Sequence, residues 1–147
     1  MRFTKEEPAM KEEGLKVMQE RFGKDNVIVL GTIDGEYPAV RQINGYYEDG
    51  AFYIITYALS NKMKQIGVNP NVSVCAEWFS GKGKAVNMGY FGKEENREMA
   101  EKLRKAFASW IDNGHNNFDD ENTIILKIDL LDCVLFSHGT RYEINFR

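Results

Sequence analysis

The chain has 147 residues, of which 43% are hydrophobic and 12% aromatic, and its 19 Lys and Arg against 22 Asp and Glu give a net charge of −3. This composition excludes an intrinsically disordered chain and suits one domain spanning residues 1–147. No apolar run is long enough for a membrane helix or a signal peptide, and a slightly acidic chain is a poor nucleic-acid binder, so we expect a cytoplasmic protein without membrane or nucleic-acid partners.

Apolar periodicity predicts two longer helices and one short one. Leu15, Met18 and Phe22 form a single apolar stripe, which predicts a first helix over 8–22. A short helix is expected over 60–68, and a second long helix over 93–111. Runs of β-branched and aromatic residues between turn signals predict the strands 27–33, 37–47, 51–57, 72–79, 84–91, 123–130, 133–137 and 142–146.

Turn residues indicate how these strands are connected. Asp34-Gly35 predicts a hairpin, Asn44-Gly45 could form a second turn or a bulge, and residues 80–83 (Ser-Gly-Lys-Gly) predict another tight turn. Strands that meander through tight turns pair antiparallel, and about six to seven of them close most economically into a barrel. The sequence therefore predicts a mostly β fold of the α+β class: a mainly antiparallel split barrel with two longer flanking helices and one short helix.

The residue types that usually bind metals are scattered. Cys75 and Cys133 each lie in an apolar run, which favours two buried, reduced thiols, and neither belongs to a CxxC pair. His115 and His138 lie apart in polar segments and are expected at the surface. We therefore expect no metal site. Trp78 falls on an alternating strand, where core packing is favoured over stacking against a cofactor.

The start of the short helix carries an unusual charge pattern. Ser60 suits the N-cap position, and the first turn holds Lys62 and Lys64 but no acid, although a helix N-terminus normally favours one. Free amides, a hydroxyl and lysines together make an anion site. The alternative is a solvated lysine pair on a surface helix. Other phosphate motifs and nucleophile elbows are absent, so redox chemistry would need a cofactor.

Several strings resemble the FMN-binding split-barrel family related to pyridoxamine 5′-phosphate oxidase, including its short members similar to general stress proteins. The best match runs from Thr56 through Ser60-x-Lys62-x-x-Gln65-Ile66 to Asn69-Pro70. The order of the other matching strings is also similar. They are Leu30–Gly35 with Pro38–Arg41, Ala85–Gly89 and Tyr142–Phe146.

This resemblance implies FMN as the cofactor and assigns residues to it. Ile55 and Thr56 would contact the flavin or ribityl chain, and Arg41 would contact the phosphate. Lys84 and Asn87 would face the cofactor. The phosphate would also be held by Ser60, Asn61 and Lys62, although Asn61 stands where the oxidase has an arginine. The resemblance further implies a homodimer with FMN at the subunit interface.

Two functions are compatible with these residues. The first is an FMN-dependent oxidoreductase acting on a small molecule, with no catalytic residue identified. The second is a flavin-binding carrier, sensor or interaction module without turnover, which the absence of a recognisable acid, base or nucleophile favours. Tyr57 and Tyr90 could border a substrate pocket or pack at a subunit interface.

Overall fold

The computed structural model describes the backbone from residue 7 to residue 147 and the side chains from residue 9 onward. Within this range, no helix has the length and apolar character needed to cross a bilayer. The regular elements, in chain order, are α1 (Glu7–Phe22), β1 (Asn26–Asp34), β2 (Tyr37–Glu48), β3 (Ala51–Tyr57), α2 (Asn61–Val68), β4 (Asn71–Ala76), β5 (Phe79–Tyr90), a 3-10 turn (Glu94–Asn96), α3 (Arg97–Ala106), β6 (Thr123–Ser137) and β7 (Thr140–Asn145).

The strands form one antiparallel sheet in the order β3-β2-β1-β4-β5-β6-β7. β3 also pairs with β6, from Ala51 opposite Asp129 to Tyr57 opposite Thr123, and this pairing closes the first six strands into a barrel. β6 has 15 residues, so its first half reaches β3 while its second half pairs with β7. The predicted mainly antiparallel split barrel with flanking helices is confirmed.

The core lies inside the barrel and extends under two helices. Phe22 of α1 packs against Phe52 and Phe79, with ring centroids 5.7 and 5.1 Å away. α2 contributes Met63 and Ile66 to the same cluster, which holds the helix against β1. A second cluster fills the space between the barrel wall and α3. Because the apolar face of α2 is buried, the orientation of its polar face relative to the barrel is fixed.

Three predicted boundaries were wrong. The turn expected at residues 80–83 lies instead at Glu77 and Trp78, and β5 runs without interruption through both of the glycines in that segment. The strand expected over 37–47 is present as β2, and at Asn44-Gly45 neither a turn nor a bulge interrupts its register with β1. The strands expected at 123–130 and 133–137 are one strand, and the second long helix is shorter than predicted, because α3 ends at Ala106.

Two residues expected in the core are at the surface. Trp78 occupies the turn before β5 with a positive φ of 59°, and 63% of its surface is exposed. Cys75 lies on the outer face of β4 and is exposed, because strand alternation buries its neighbour Val74 instead. Cys133 is buried as expected, and burial raises the pKa of its thiol to about 12. His115 and His138 are exposed, as predicted.

The difference in exposure between Cys75 and Cys133 predicts that a thiol reagent modifies the two cysteines selectively. The thiolate is the reactive form of cysteine, so an exposed thiol reacts readily while a buried thiol with a raised pKa does not. We expect a disulfide reagent at neutral pH to label Cys75 rapidly in the folded protein and to label Cys133 only after unfolding. Counting released chromophore with and without denaturant checks this, and rapid labelling of both thiols in the folded protein would contradict it.

Candidate functional site

An arginine is held at a fixed position between β1, β2 and α2. Arg41 of β2 donates through Nη1 to Thr32 Oγ1 at 2.8 Å and to the Leu30 carbonyl at 3.1 Å. Its Nη2 donates to Gln65 Oε1 at 2.9 Å, and the Thr32 hydroxyl donates to the same oxygen at 2.6 Å. These bonds leave Nε–H and one Nη2–H without an acceptor among the described residues, because a guanidinium has five donors.

A lysine from α2 lies on the same side of that helix as Gln65. Lys62 and Gln65 are three residues apart, which places them on one helix face. Lys62 is half-buried, and its Nζ donates to the buried Thr56 Oγ1 at 2.7 Å. An ammonium group has three donors, so two remain for a ligand. β3 therefore anchors the lysine, and β2 anchors the arginine beside it.

The N-terminus of α2 adds further free donors. Ser60 occupies the N-cap, as predicted, but its side chain makes no cap hydrogen bond, and Oγ is buried without a partner in the part of the chain that the structure describes. The first intrahelical bond is Lys64 N–H to the Ser60 carbonyl at 3.1 Å. The three amides before it have no intrahelical acceptor, as at any helix start. A buried hydroxyl without a partner is unfavourable, and a bound ligand atom would satisfy it.

The charges of this cluster are uncompensated. Neither Arg41 nor Lys62 forms an ion pair with a carboxylate of residues 9–147, and the first turn of α2 contains no acidic residue. Burial, and then the neighbouring Arg41 charge, lower the pKa of Lys62, while burial lowers the pKa of Arg41. A bound anion would relieve both effects. We call Arg41, Ser60 and Lys62 the cationic cluster.

The structure brings together only part of the predicted set. Arg41, Thr56, Ser60 and Lys62 meet around the start of α2, and Asn61 is exposed in its first turn. Ile55 lies on the opposite face of β3, where it packs in the cluster beneath α3, because successive strand residues alternate.

The two β5 residues are separate from this cluster. Lys84 is exposed opposite Asn71 of β4. Asn87 accepts a hydrogen bond from Gly89 N–H at 2.8 Å, and the left-handed φ of 84° at Gly89 gives the backbone the tight bend that this bond needs. Neither side chain has a hydrogen bond or ion pair to the cationic cluster within the described side chains.

Two residues of the site were not assigned a role from the sequence. Thr32 is only 2% exposed, and Gln65 lies in the matching string of α2, where its partner could not be read. The contact between Thr32 and Gln65 spans 33 positions of the sequence, and the contact between Arg41 and Gln65 spans 24. In the hairpin register Thr32 lies opposite Ala39 and Arg41 lies opposite Leu30, so no local pattern in the sequence indicates the contact between Thr32 and Arg41.

Replacing Gln65 by leucine should remove a hydrogen-bond acceptor that holds Arg41 in place. The shared acceptor for Arg41 and Thr32 would be lost at similar side-chain volume, and we expect a destabilisation of about 1 kcal/mol, as for one net hydrogen bond. Denaturant unfolding measures this. Gln42→Leu, an exposed glutamine on β2, is the matched control and should change stability little. Equal effects of the two substitutions would show that the Arg41 bonds contribute no net stability.

Comparison with known proteins gives structural neighbours only. No protein-family model and no curated protein matches the sequence. General stress protein 26 of Bacillus anthracis superposes with a TM-score of 0.64 at 18% identity, covering 93% of this chain and 98% of that chain. A candidate pyridoxamine 5′-phosphate oxidase of Listeria innocua gives 0.62 at 16% identity, covering 88% and 98%. A FAD-binding protein of Mesorhizobium loti gives 0.60 at 17% identity, covering 83% and 90%.

These neighbours confirm the resemblance at the level of fold. The chain has the split-barrel fold of the pyridoxamine 5′-phosphate oxidase-like proteins, over nearly its whole length.

Proposed function

We propose that this split-barrel protein binds FMN and uses it as an oxidoreductase on a small molecule. The observation that carries the proposal is the cationic cluster, because two half-buried cations, an unpartnered hydroxyl and a helix N-terminus fit a phosphate dianion. The FAD-binding and oxidase-like neighbours support a flavin as the bearer of that phosphate. When bound, FMN supplies the electron-transfer chemistry that these side chains lack.

The residues that we propose for the phosphate are those that converge. Ser60 and Lys62 would contact phosphate oxygens, with the free Arg41 donors and the exposed first turn at Asn61 beside them. Thr56 would orient the Lys62 amine through its hydrogen bond. Ile55 would contribute to a flavin site only from the α3 side of β3.

We also propose a homodimer. The outer faces of β1 and β2 leave large apolar side chains in water, with Ile33 and Val40 exposed by 39% and 71%. Ile33 and Val40 line a surface groove of about 400 Å³. Lys84 projects from the same outer face of the sheet, so we propose that it contacts the cofactor of a second copy. For Asn87 we propose the same contact on the resemblance alone.

The dimer has a direct test. We expect light scattering at micromolar concentration to give twice the chain mass, and Val40→Lys to shift it to one chain, because a buried lysine opposes association. Val68→Lys, a valine that is 89% exposed on α2, is the matched control and should stay dimeric. A wild-type monomer that retains FMN would contradict the dimer proposal but not the FMN proposal.

The absorption spectrum tests the function. We expect the purified or FMN-reconstituted protein to show flavin bands that an anaerobic electron donor such as reduced nicotinamide bleaches. Failure to take up FMN would overturn the proposal. A flavin band that no donor bleaches would favour the second function, a carrier or sensor, which the lack of a carboxylate, imidazole or thiol in the cationic cluster supports.

A further inference from the structure

Within the described residues, every acceptor that holds Arg41 is uncharged. Its Nη1 donates to the Thr32 hydroxyl at 2.8 Å, to the Leu30 carbonyl at 3.1 Å and, at 3.4 Å, to the carbonyl of Ala39. Its Nη2 donates to Gln65 at 2.9 Å, and because a guanidinium has donors only, the Gln65 atom that faces it is the amide oxygen. The arginine is therefore fixed in place and keeps its full positive charge.

Several other cations of the protein are fixed by carboxylates. Lys102 Nζ donates to both carboxylate oxygens of Glu48, at 2.8 and 2.9 Å, and Arg147 Nη2 donates to Asp132 Oδ2 at 2.9 Å. A carboxylate would also be the stronger acceptor for Arg41, because hydrogen bonds that involve ionised groups are roughly twice as strong as those between neutral groups. Stability alone therefore does not account for an amide as the partner of Arg41.

Gln65 lies where its charge would affect the whole cationic cluster. Its Oε1 accepts from Arg41 Nη2 at 2.9 Å and from the Thr32 hydroxyl at 2.6 Å. It also follows Lys62 by three residues, on the same face of α2. A carboxylate at this position would contact one cation of the cluster and lie one helical turn from the other. The cluster would then lose much of its positive charge.

We propose that Gln65 is a positioning residue that makes the cationic cluster selective for phosphate monoesters over uncharged analogues. Its neutral amide oxygen fixes Arg41 without cancelling the charge that a phosphate needs. A phosphate monoester carries close to two negative charges at neutral pH, so the charge of the cluster decides how strongly it is bound. With FMN as the ligand, the inference rests on the proposed function, but the charge argument applies to any phosphate.

The test compares the wild type with two variants. Gln65→Glu keeps an acceptor for Arg41 and adds a negative charge, whereas Gln65→Leu removes the acceptor and adds no charge. We expect Gln65→Glu to weaken FMN binding about 10- to 100-fold, as for the loss of one charge-assisted hydrogen bond, and to leave riboflavin binding unchanged. We expect Gln65→Leu to weaken FMN binding only about 2- to 10-fold, because the freed arginine must be ordered when the phosphate binds.

Urea unfolding without ligand separates this role from a purely structural one. Gln65→Glu should be at least as stable as the wild type, because Arg41 gains a charged acceptor, while Gln65→Leu should be less stable. The order of the three proteins by stability then differs from their order by FMN affinity, whereas a purely structural role would give one order in both measurements. Gln19→Glu makes the same amide-to-carboxylate change at an exposed position of α1 and should alter neither flavin affinity.

Inorganic phosphate serves as a second probe, so that the inference and the FMN proposal can fail separately. If FMN does not bind but phosphate raises the urea midpoint of the wild type more than that of Gln65→Glu, the FMN proposal fails and the inference stands. If FMN does not bind and phosphate stabilises both proteins equally, the inference is overturned as well.

Two results would overturn the inference even if FMN binds. The first is a Gln65→Glu protein that keeps the wild-type preference for FMN over riboflavin. The second applies if Gln65→Glu does not fold, in which case Gln65→Leu decides. An unchanged preference for FMN over riboflavin in Gln65→Leu would then show that the position of Arg41 does not matter for the phosphate.

Discussion

Lys62→Ala should weaken FMN binding roughly 10- to 100-fold, because a charge-assisted hydrogen bond is worth about 1.5–3 kcal/mol. Riboflavin has the same ring system but no phosphate, so its affinity should hardly change. The preference for FMN over riboflavin should therefore shrink by the same factor. Fluorescence titration of both flavins into both proteins measures it, and added salt should weaken FMN binding to the wild type more than to the variant.

Lys64→Ala is the matched control for this substitution. It removes the same charge from the same helix, but Lys64 is exposed and does not contact Thr56 or Arg41. We expect at most a small loss of FMN affinity from this variant. If both alanine variants lose affinity equally, the phosphate responds to the overall positive charge of α2 and not to specific contacts with the cationic cluster. If Lys62→Ala weakens both flavins together, the defect lies in the fold.

The uncompensated charge at the start of α2 could be predicted from the sequence because its signal is local. Ser60 and Lys62 lie within three residues of each other, and the missing acid of the first turn is visible in the same string. Arg41 came from the resemblance alone. Its place beside α2 depends on the hairpin of β1 and β2 and on the docking of Met63 and Ile66 into the barrel.

The partners of Arg41 could not be assigned in the same way. Gln65 and Thr32 are polar residues with no local pattern that indicates an arginine partner. Their positions follow from which face of α2 is buried and which end of β1 the helix covers. Tertiary packing decides such contacts, whereas capping and charge preferences act within one turn of helix.

The errors in the β region have a different cause. Glycine-rich strings predict turns because glycine tolerates left-handed backbone, and this is why residues 80–83 predict a turn. In the structure, neither Gly81 nor Gly83 has a positive φ. The actual turn uses Trp78, a residue type that seldom adopts φ near 59°, so the sequence contained no signal for it. The glycines serve close packing between two strands.

Gly83→Ala should therefore destabilise the protein by about 1–3 kcal/mol, the range for overpacking a filled interior. A Cβ at Gly83 would lie 2.7 Å from the Asp129 carbonyl oxygen and 2.8 Å from Ile128 Cγ2, beside the irregular pairing between β5 and β6. The carbonyl belongs to the backbone of β6, which pairs with β3, so it cannot move without disturbing the barrel closure.

Gly67→Ala is the informative comparison. It makes the same chemical change, but we expect it to raise the free energy of unfolding instead of lowering it. Gly67 lies in α2, no atom is within 4 Å of its added Cβ, and alanine favours helix by about 1 kcal/mol over glycine. We expect urea midpoints to fall for Gly83→Ala and to rise for Gly67→Ala. A Gly83→Ala protein as stable as the wild type would mean that β5 and β6 can separate at this point without loss. The glycine would then serve the local bulge geometry and not the close approach of the two strands.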